Sequence, residues 1–317
     1  MTEKICVITG ATSGIGKAAA AQIAATKVAA SLEATSLEAA SLVANENYHV
    51  IIACRNRERG EFALEEIRKQ SKSDSVELMI VDMSLFSSIE TFAKRFLAKY
   101  KKLDVLIHNA AAFDVSKKVP TYTEEGFETI WATNHLGPVF MTEVLLEPLK
   151  ASEQGRIITI SSKGLVAYPF LKIDLEDPEF RRRQFSVQKT YYQSKLAQVM
   201  YTYWLAEELA HTPVTANSIR VTNVKIDIET RYPNASRLSK SMYALKSRFS
   251  ISPEQMAQTY TYLATSPEVR DVSGKYFDDP THIVKSSGYS RDKENIAAVM
   301  ALTQRYIQQA RTQERSD

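Results

Sequence analysis

Cysteine is nearly absent from this chain. Among 317 residues only Cys6 and Cys54 occur, each inside an apolar, β-branched run. Two such thiols make neither a disulfide framework nor a cysteine metal centre, so both are expected to be reduced core residues, and no metal site is expected. Long apolar runs are missing too. No stretch reaches the roughly 20 residues that span a bilayer, and the opening MTEKICVITG enters a strand pattern without the apolar core of a signal peptide. A soluble, cytoplasmic chain with no stable membrane anchor is expected. Neither sign of charge dominates: 40 lysines and arginines face 37 aspartates and glutamates, for a net +3. The one basic block, Arg181 to Arg183, reads as a solvated face, and no nucleic-acid partner is expected.

The chain does have apolar content, 44%, enough for a large core, and a single domain is the default expectation. Short β-branched runs (KICVITG, HVIIACR, VELMIVD, LDVLIHN, RIITISS, SIRVTNV and a final VSGKYF) alternate with helical patterns over Arg59–Lys72, Leu85–Tyr100, Thr123–Leu149 and Tyr191–Leu209. Strands that are apolar throughout and separated by helices need cover on both faces. The predicted fold is therefore an α/β, Rossmann-type, doubly wound parallel sheet of about seven strands, with ligands beyond the strands' carboxyl ends. One stretch breaks the rhythm. Between Gly16 and Val50 the chain is too long for one crossover helix, and SLEAT-SLEAA (Ser31–Ala40) repeats at a spacing of five, which keeps no apolar stripe on a helix. A peripheral helical insertion near residues 26–47 is expected, as a tolerated surface addition, with an oligomer contact as the alternative.

The first strand runs into TGATSGIG, Thr9–Gly16. Gly10, Gly14 and Gly16 let the backbone turn and approach a pyrophosphate; Thr12, Ser13 and Ile15 complete the loop, and the following helix N-terminus favours negative charge. The spacing, G-x-x-x-G-x-G, departs from the generic dinucleotide fingerprint G-x-G-x-x-G. The second strand ends in IIACRN. Cys54 stands where an acid would bind a ribose hydroxyl, and Arg55 follows, a group suited to a 2′-phosphate. NADP(H) is thus expected ahead of NAD(H), with a plain surface arginine as the alternative. Tyr191 and Lys195, in YYQSK, are four residues apart and share a helix face, so the ammonium can favour the phenolate and bring a weak acid into working range.

Taken in order over about Lys4 to Thr230, TGATSGIG, HNAA (His108–Ala111), NHLG (Asn134–Gly137), ISS (Ile160–Ser162) and YYQSK resemble the short-chain dehydrogenases/reductases. ACRN, DLEDPEF and YYQSKLAQVMYTYWLAEEL are most similar to the retinol-dehydrogenase-like branch. The resemblance implies that Tyr191 is the general acid/base and that Lys195 lowers its pKa and holds the nicotinamide ribose. It implies that Ser162 hydrogen-bonds the substrate oxygen while Ser161 serves structure, and that Asn134 holds a water relaying protons from Lys195. Asp82 would touch the adenine edge, unless it caps the next helix, or does both. Asn109 and Ala110 would line the adenine ribose, and Tyr192 would pack or line the substrate wall. Two departures stand out: Ala111 replaces a usual glycine, and VTNVKIDIET lacks the Pro-Gly that shapes the nicotinamide pocket, leaving Thr230 as a carboxamide ligand.

Beyond Thr230, Leu238, Met242, Leu245 and Phe249 form an apolar stripe, so 231–250 is expected to be a helix covering either substrate or core, with 251–317 supplying the C-terminal helices and last strand. The sequon at Asn234 is expected to go unused in a cytoplasmic protein. The implied function is NADP(H)-dependent interconversion of a ketone or aldehyde and an alcohol, on an apolar small molecule of medium size, in a protein able to form homo-oligomers. One alternative is a non-catalytic dinucleotide-binding sensor or scaffold, which the missing Pro-Gly favours. The other is a sugar-nucleotide epimerase or dehydratase, which would need a different glycine spacing and a larger C-terminal domain.

Overall fold

The structure, a computed structural model, describes residues 3–26, 47–225 and 250–314. Residues 27–46 of the insertion expected near 26–47, residues 231–249 of the segment expected over 231–250, the sequon and Thr230 lie outside the described residues. The strands are β1 (Lys4–Thr9), β2 (Tyr48–Cys54), β3 (Val76–Ile80), β4 (Val105–His108), β5 (Gly155–Ser162), β6 (Val214–Val221), β7 (Lys275–Asp278) and β8 (His282–Val284). They form one sheet in the order β3-β2-β1-β4-β5-β6-β7-β8. All neighbours pair parallel except β7 and β8, which are antiparallel. This eighth strand goes beyond the sequence expectation; at three residues it is too short to carry a readable alternation. The chain moves outward from β1 to β3 and then returns to β4 on the other side, so a crevice opens beyond the carboxyl ends of β1 and β4.

Strands β1 to β6 feed two cores. In β1, Cys6 and Ile8 point to one face, Ile5 and Val7 to the other. The first face carries α1 (Gly14–Ala24), α2 (Arg57–Ser71) and, from the C-terminal part, the helix Pro253–Thr265. Ala18 to Ala21 and Ala24 give α1 a small-residue surface, which lets it lie close to the sheet. The second face carries α3 (Phe86–Lys99), α4 (Gly137–Val144), α5 (Val187–Glu208) and, after Pro253–Thr265 (α6), α7 (Lys293–Glu314). Phe92 and Phe96 are fully buried there, each contributing on the order of 1.5–3 kcal/mol through apolar burial.

Two helices differ from expectation in ways that shape the site. The pattern read over Thr123–Leu149 turns helical only at Thr129, because Tyr122 bridges Glu128 across a turn in which Gly126 has φ +82°. Buried Glu128 then caps the first turn by accepting the Trp131 N–H at 2.8 Å. The rod widens into a π-helical turn at Ala132–Leu136 before α4, a distortion frequent at functional sites. Helix α5 begins at Val187, four residues before Tyr191, capped by Ser186. Its buried set includes Gln193, Ser194, Lys195, Gln198 and Thr202 because it lies between the sheet and α7, so polar groups are enclosed along with apolar ones.

The arginine run is more than a solvated face. Asp177 accepts the backbone N–H groups of Arg181, Arg182 and Arg183 at 2.7, 3.0 and 2.9 Å. Arg181 pairs with Glu179, and Arg183 with Asp174 at 3.2 Å. Arg181 and Arg182 stay exposed, as expected of a solvated face, while the backbone of the run closes a turn on Asp177.

Candidate active site

At the end of β1 the loop is held by backbone contacts that side chains would spoil. Gly10 has φ +69°, and a Cβ there would lie 2.7 Å from Ala110 Cα. At Gly16 a Cβ would collide with Asn109 Nδ2 and approach the Gly10 carbonyl to 2.8 Å. Asn109 explains the crowding: its Nδ2 donates to the carbonyls of Thr9 and Gly10 at 2.9 and 3.1 Å, while Thr9 Oγ1 accepts the Ala110 N–H at 3.0 Å. Tyr260, buried on α6, donates to Asn109 Oδ1 at 3.2 Å. No local pattern marks Tyr260 in the sequence. Gly14 differs: its φ is +55°, and a Cβ would meet nothing within 4 Å. Ser13 makes no side-chain cap to α1, and the first turn holds no acid, so the positive helix end is left to an external anion such as a diphosphate.

The remaining cofactor candidates are placed as follows. Arg55 is exposed at the end of β2. Asp82 Oδ1 accepts the Ser84 N–H and hydroxyl at 2.9 and 2.7 Å. Asp82 does not cap α3; Leu85 holds that position, and Glu125 accepts the Phe86 and Ser87 N–H groups at 2.7 and 3.0 Å. Ala111 is exposed, so its methyl does not crowd the protein interior.

Beyond β5 the side chains take over. Lys195 is 2% exposed, its Nζ donates to the Ile160 carbonyl at 2.8 Å, and burial pushes its pKa down to about 8. That ammonium lies 5.7 Å from the centre of the Tyr191 ring. Phe113 packs on the same ring at 4.2 Å, and Tyr192 meets it edge-on at 5.3 Å. Asn134, buried on the π turn, accepts the Ala112 N–H at 2.6 Å and donates to the Ala112 carbonyl at 3.1 Å and to Ser194 Oγ at 3.0 Å. Ser194 in turn donates to the Tyr191 carbonyl at 2.7 Å. Ser162 Oγ accepts the Gly164 N–H at 3.2 Å, which leaves its O–H able to donate to an incoming oxygen. Ser161 is buried, donating to the Lys195 carbonyl at 3.1 Å and accepting from Tyr276 at 3.2 Å. Tyr192 packs at a tilt against Tyr168, with ring centroids 4.6 Å apart, and fills the space where a side chain at Gly164 would sit.

The short chain dehydrogenase family matches residues 33–172. Human retinol dehydrogenase 13 is 33% identical over 278 residues, which cover 87% of this chain and 76% of that protein. Mouse retinol dehydrogenase 12 is 36% identical over 276 residues, covering 87% and 78%. The chain belongs to the short-chain dehydrogenase/reductase family, in its retinol-dehydrogenase-like branch. Human WW domain-containing oxidoreductase aligns with this family member over 315 residues at 29% identity, 97% of this chain and 69% of the other. A crystal structure from Mycobacterium paratuberculosis superposes with a TM-score of 0.68 at 26% identity, covering 96% of this chain and 92% of its own. L-Sorbose reductase from Gluconobacter frateurii shares the fold, with a TM-score of 0.66 at 18% identity and 90% and 98% coverage. The protein is thus an oxidoreductase of a family that acts on small molecules with a nicotinamide dinucleotide. Among the described residues no helix is long and apolar enough to cross a membrane, and no cluster of side chains could hold a metal ion.

Proposed function

We propose that this dehydrogenase/reductase uses NADP(H) to interconvert an apolar aldehyde or ketone of medium size and its alcohol. The observation that carries the reading is Lys195, buried beside Tyr191 and held by a backbone carbonyl. A bound nicotinamide would supply or accept the hydride. In the reduction direction Ser162 donates a hydrogen bond to the carbonyl oxygen, and Tyr191 gives that oxygen its phenolic proton. The Lys195 ammonium stabilises the phenolate left behind, and a pKa of about 8 lets it exchange protons near neutral pH. Both amide hydrogens of Asn134 are used on Ala112 and Ser194, so a relay water would have to bind the remaining lone pair of Oδ1.

For the cofactor, the Gly10, Thr12, Ser13, Gly14, Ile15 and Gly16 loop would hold the diphosphate, with Asn109 and Ala110 at the adenine ribose and Asp82 at the adenine edge. Arg55 would hold the 2′-phosphate and Thr230 the carboxamide. An apolar substrate is supported by the names of the retinol dehydrogenase relatives and by the turn after Ser162, which exposes Val166 and then Phe170, the latter 92% exposed. Two buried thiols, Cys6 and Cys54, accord with a cytoplasmic location.

A fluorescence titration with NADPH and with NADH tests the cofactor assignment. Arg55→Ala is expected to weaken NADPH binding about tenfold, the loss of one charge-assisted contact, and to leave NADH within about twofold. Equal losses for both would remove Arg55 from the 2′-phosphate, and no binding of either would favour a scaffold that kept the fold.

A further inference from the structure

Phe113 stands on the connection that follows β4, where side chains are ordinarily mobile. Here the ring is held in place. Asn134 grips the preceding residue, Ala112, through both its N–H and its carbonyl. The same Asn134 amide reaches Ser194, and Ser194 donates to the backbone carbonyl of Tyr191. The Phe113 ring closes the circuit by lying on the Tyr191 ring, with centroids 4.2 Å apart and planes inclined by 32°. Phe113 is therefore positioned in the frame of the helix that carries the phenol, although it belongs to a different segment.

The placement has a steric consequence. Tyr191 is only partly exposed, and Phe113 covers one face of its ring while Tyr192 takes an edge. A carbonyl carbon that brings its oxygen to the phenol hydroxyl must carry its own substituents past the Phe113 ring. We infer that Phe113 is a specificity-determining residue, limiting the bulk permitted next to the reacting carbonyl. A slender, unbranched apolar group can lie along the ring; a branch at the neighbouring carbon meets it. The inference rests on Tyr191 acting as the acid/base.

The test uses two isomeric probes, octanal and 2-ethylhexanal, reduced with NADPH by wild type, Phe113→Leu and Phe113→Ala. Wild type is expected to favour octanal in kcat/KM. Phe113→Ala should narrow that preference by about tenfold or more, the scale on which a pocket discriminates a methylene or two. Phe113→Leu should fall between, and NADPH affinity should stay within about twofold in each, since Phe113 is assigned no cofactor contact. A ratio unchanged in a Phe113→Ala protein that still binds NADPH overturns the assignment; a general loss of activity would not move the ratio. If Phe113→Ala does not bind NADPH, Phe113→Leu decides on the same ratio. A wild type that binds NADPH but reduces neither probe overturns the carbonyl-reductase reading, and the role of Phe113 with it.

Discussion

Around Gly10 the site is made from backbone and from missing atoms, since Ala110 and Asn109 occupy the space that side chains at Gly10 and Gly16 would need. Around Tyr191 it is made from side chains: Phe113 after β4, Asn134 on the π turn, Ser162 at the end of β5, and Ser194 and Lys195 on α5. At Gly10 and Gly16 the first region has no room for an added carbon, whereas the second depends on the atoms its side chains supply. Backbone N–H groups serve any diphosphate and need only room and a turn, whereas proton transfer needs particular functional groups at particular positions.

The contrast is sharpest at Tyr191. Tyr191→Phe removes one oxygen and should lower turnover by roughly 10²–10⁴-fold while cofactor affinity persists. NADPH oxidation assays beside a binding titration check this, and substantial residual turnover would refute the acid/base role. The mirror experiment adds one carbon. Gly16→Ala forces Asn109 or the Gly10 carbonyl to move, at a cost of about 1–3 kcal/mol in stability, with weaker dinucleotide binding. Denaturant melts measure it; an unchanged midpoint would show the loop to be looser than its contacts imply.

Smaller effects probe the supports behind each region. Tyr260→Phe deletes the hydrogen bond to Asn109 and should cost about 1 kcal/mol, raising the cofactor KM with kcat at saturation unchanged. A fall in kcat alone would tie Tyr260 to the other end of the crevice. On the catalytic side, burial raises Glu128 from 4.5 to about 7. The folded state therefore holds that proton more tightly than the unfolded state, so stability is gained as pH falls from 7 toward 4.5 and is lost as pH rises through 7. Glu128→Gln lacks this dependence, and its thermal midpoint relative to wild type should be highest at pH 8 and decline toward pH 5. A difference independent of pH would remove the buried charge from the account. The comparison must be between the two proteins, because His108 and His135, lowered by burial from 6.5 to about 3, act in the opposite sense: their contribution is present above 6.5 and lost on acidification.

Much of this was legible in the residues. Continuous β-branched runs separated by helices announced the parallel sheet, and the glycines after β1 announced a close approach of backbone to an anion. The i, i+4 spacing of Tyr191 and Lys195 placed both on one helix face, although the middle of α5, Gln193 to Thr202, is buried on every side and carries no apolar stripe to show what surrounds it. Asp82 could be read as a cap because capping is ordinarily local; Glu125, 39 residues from Phe86, supplies the cap instead. Strand β8 was missed because three residues carry no period.

The parallel-sheet class, the glycine turn and the Tyr191–Lys195 pair follow from short-range properties: periodicity, the φ freedom of glycine, and the pitch of a helix; the order of the strands in the sheet does not. Nor does the company those groups keep. Tyr260 meets Asn109 across 151 residues, Asn134 holds Ala112 across 22, and the pKa of Lys195 is lowered by burial in the packed chain, with its Nζ on the Ile160 carbonyl 35 residues away. Burial and distant hydrogen bonds are properties of the packed chain, and no window of sequence contains both partners.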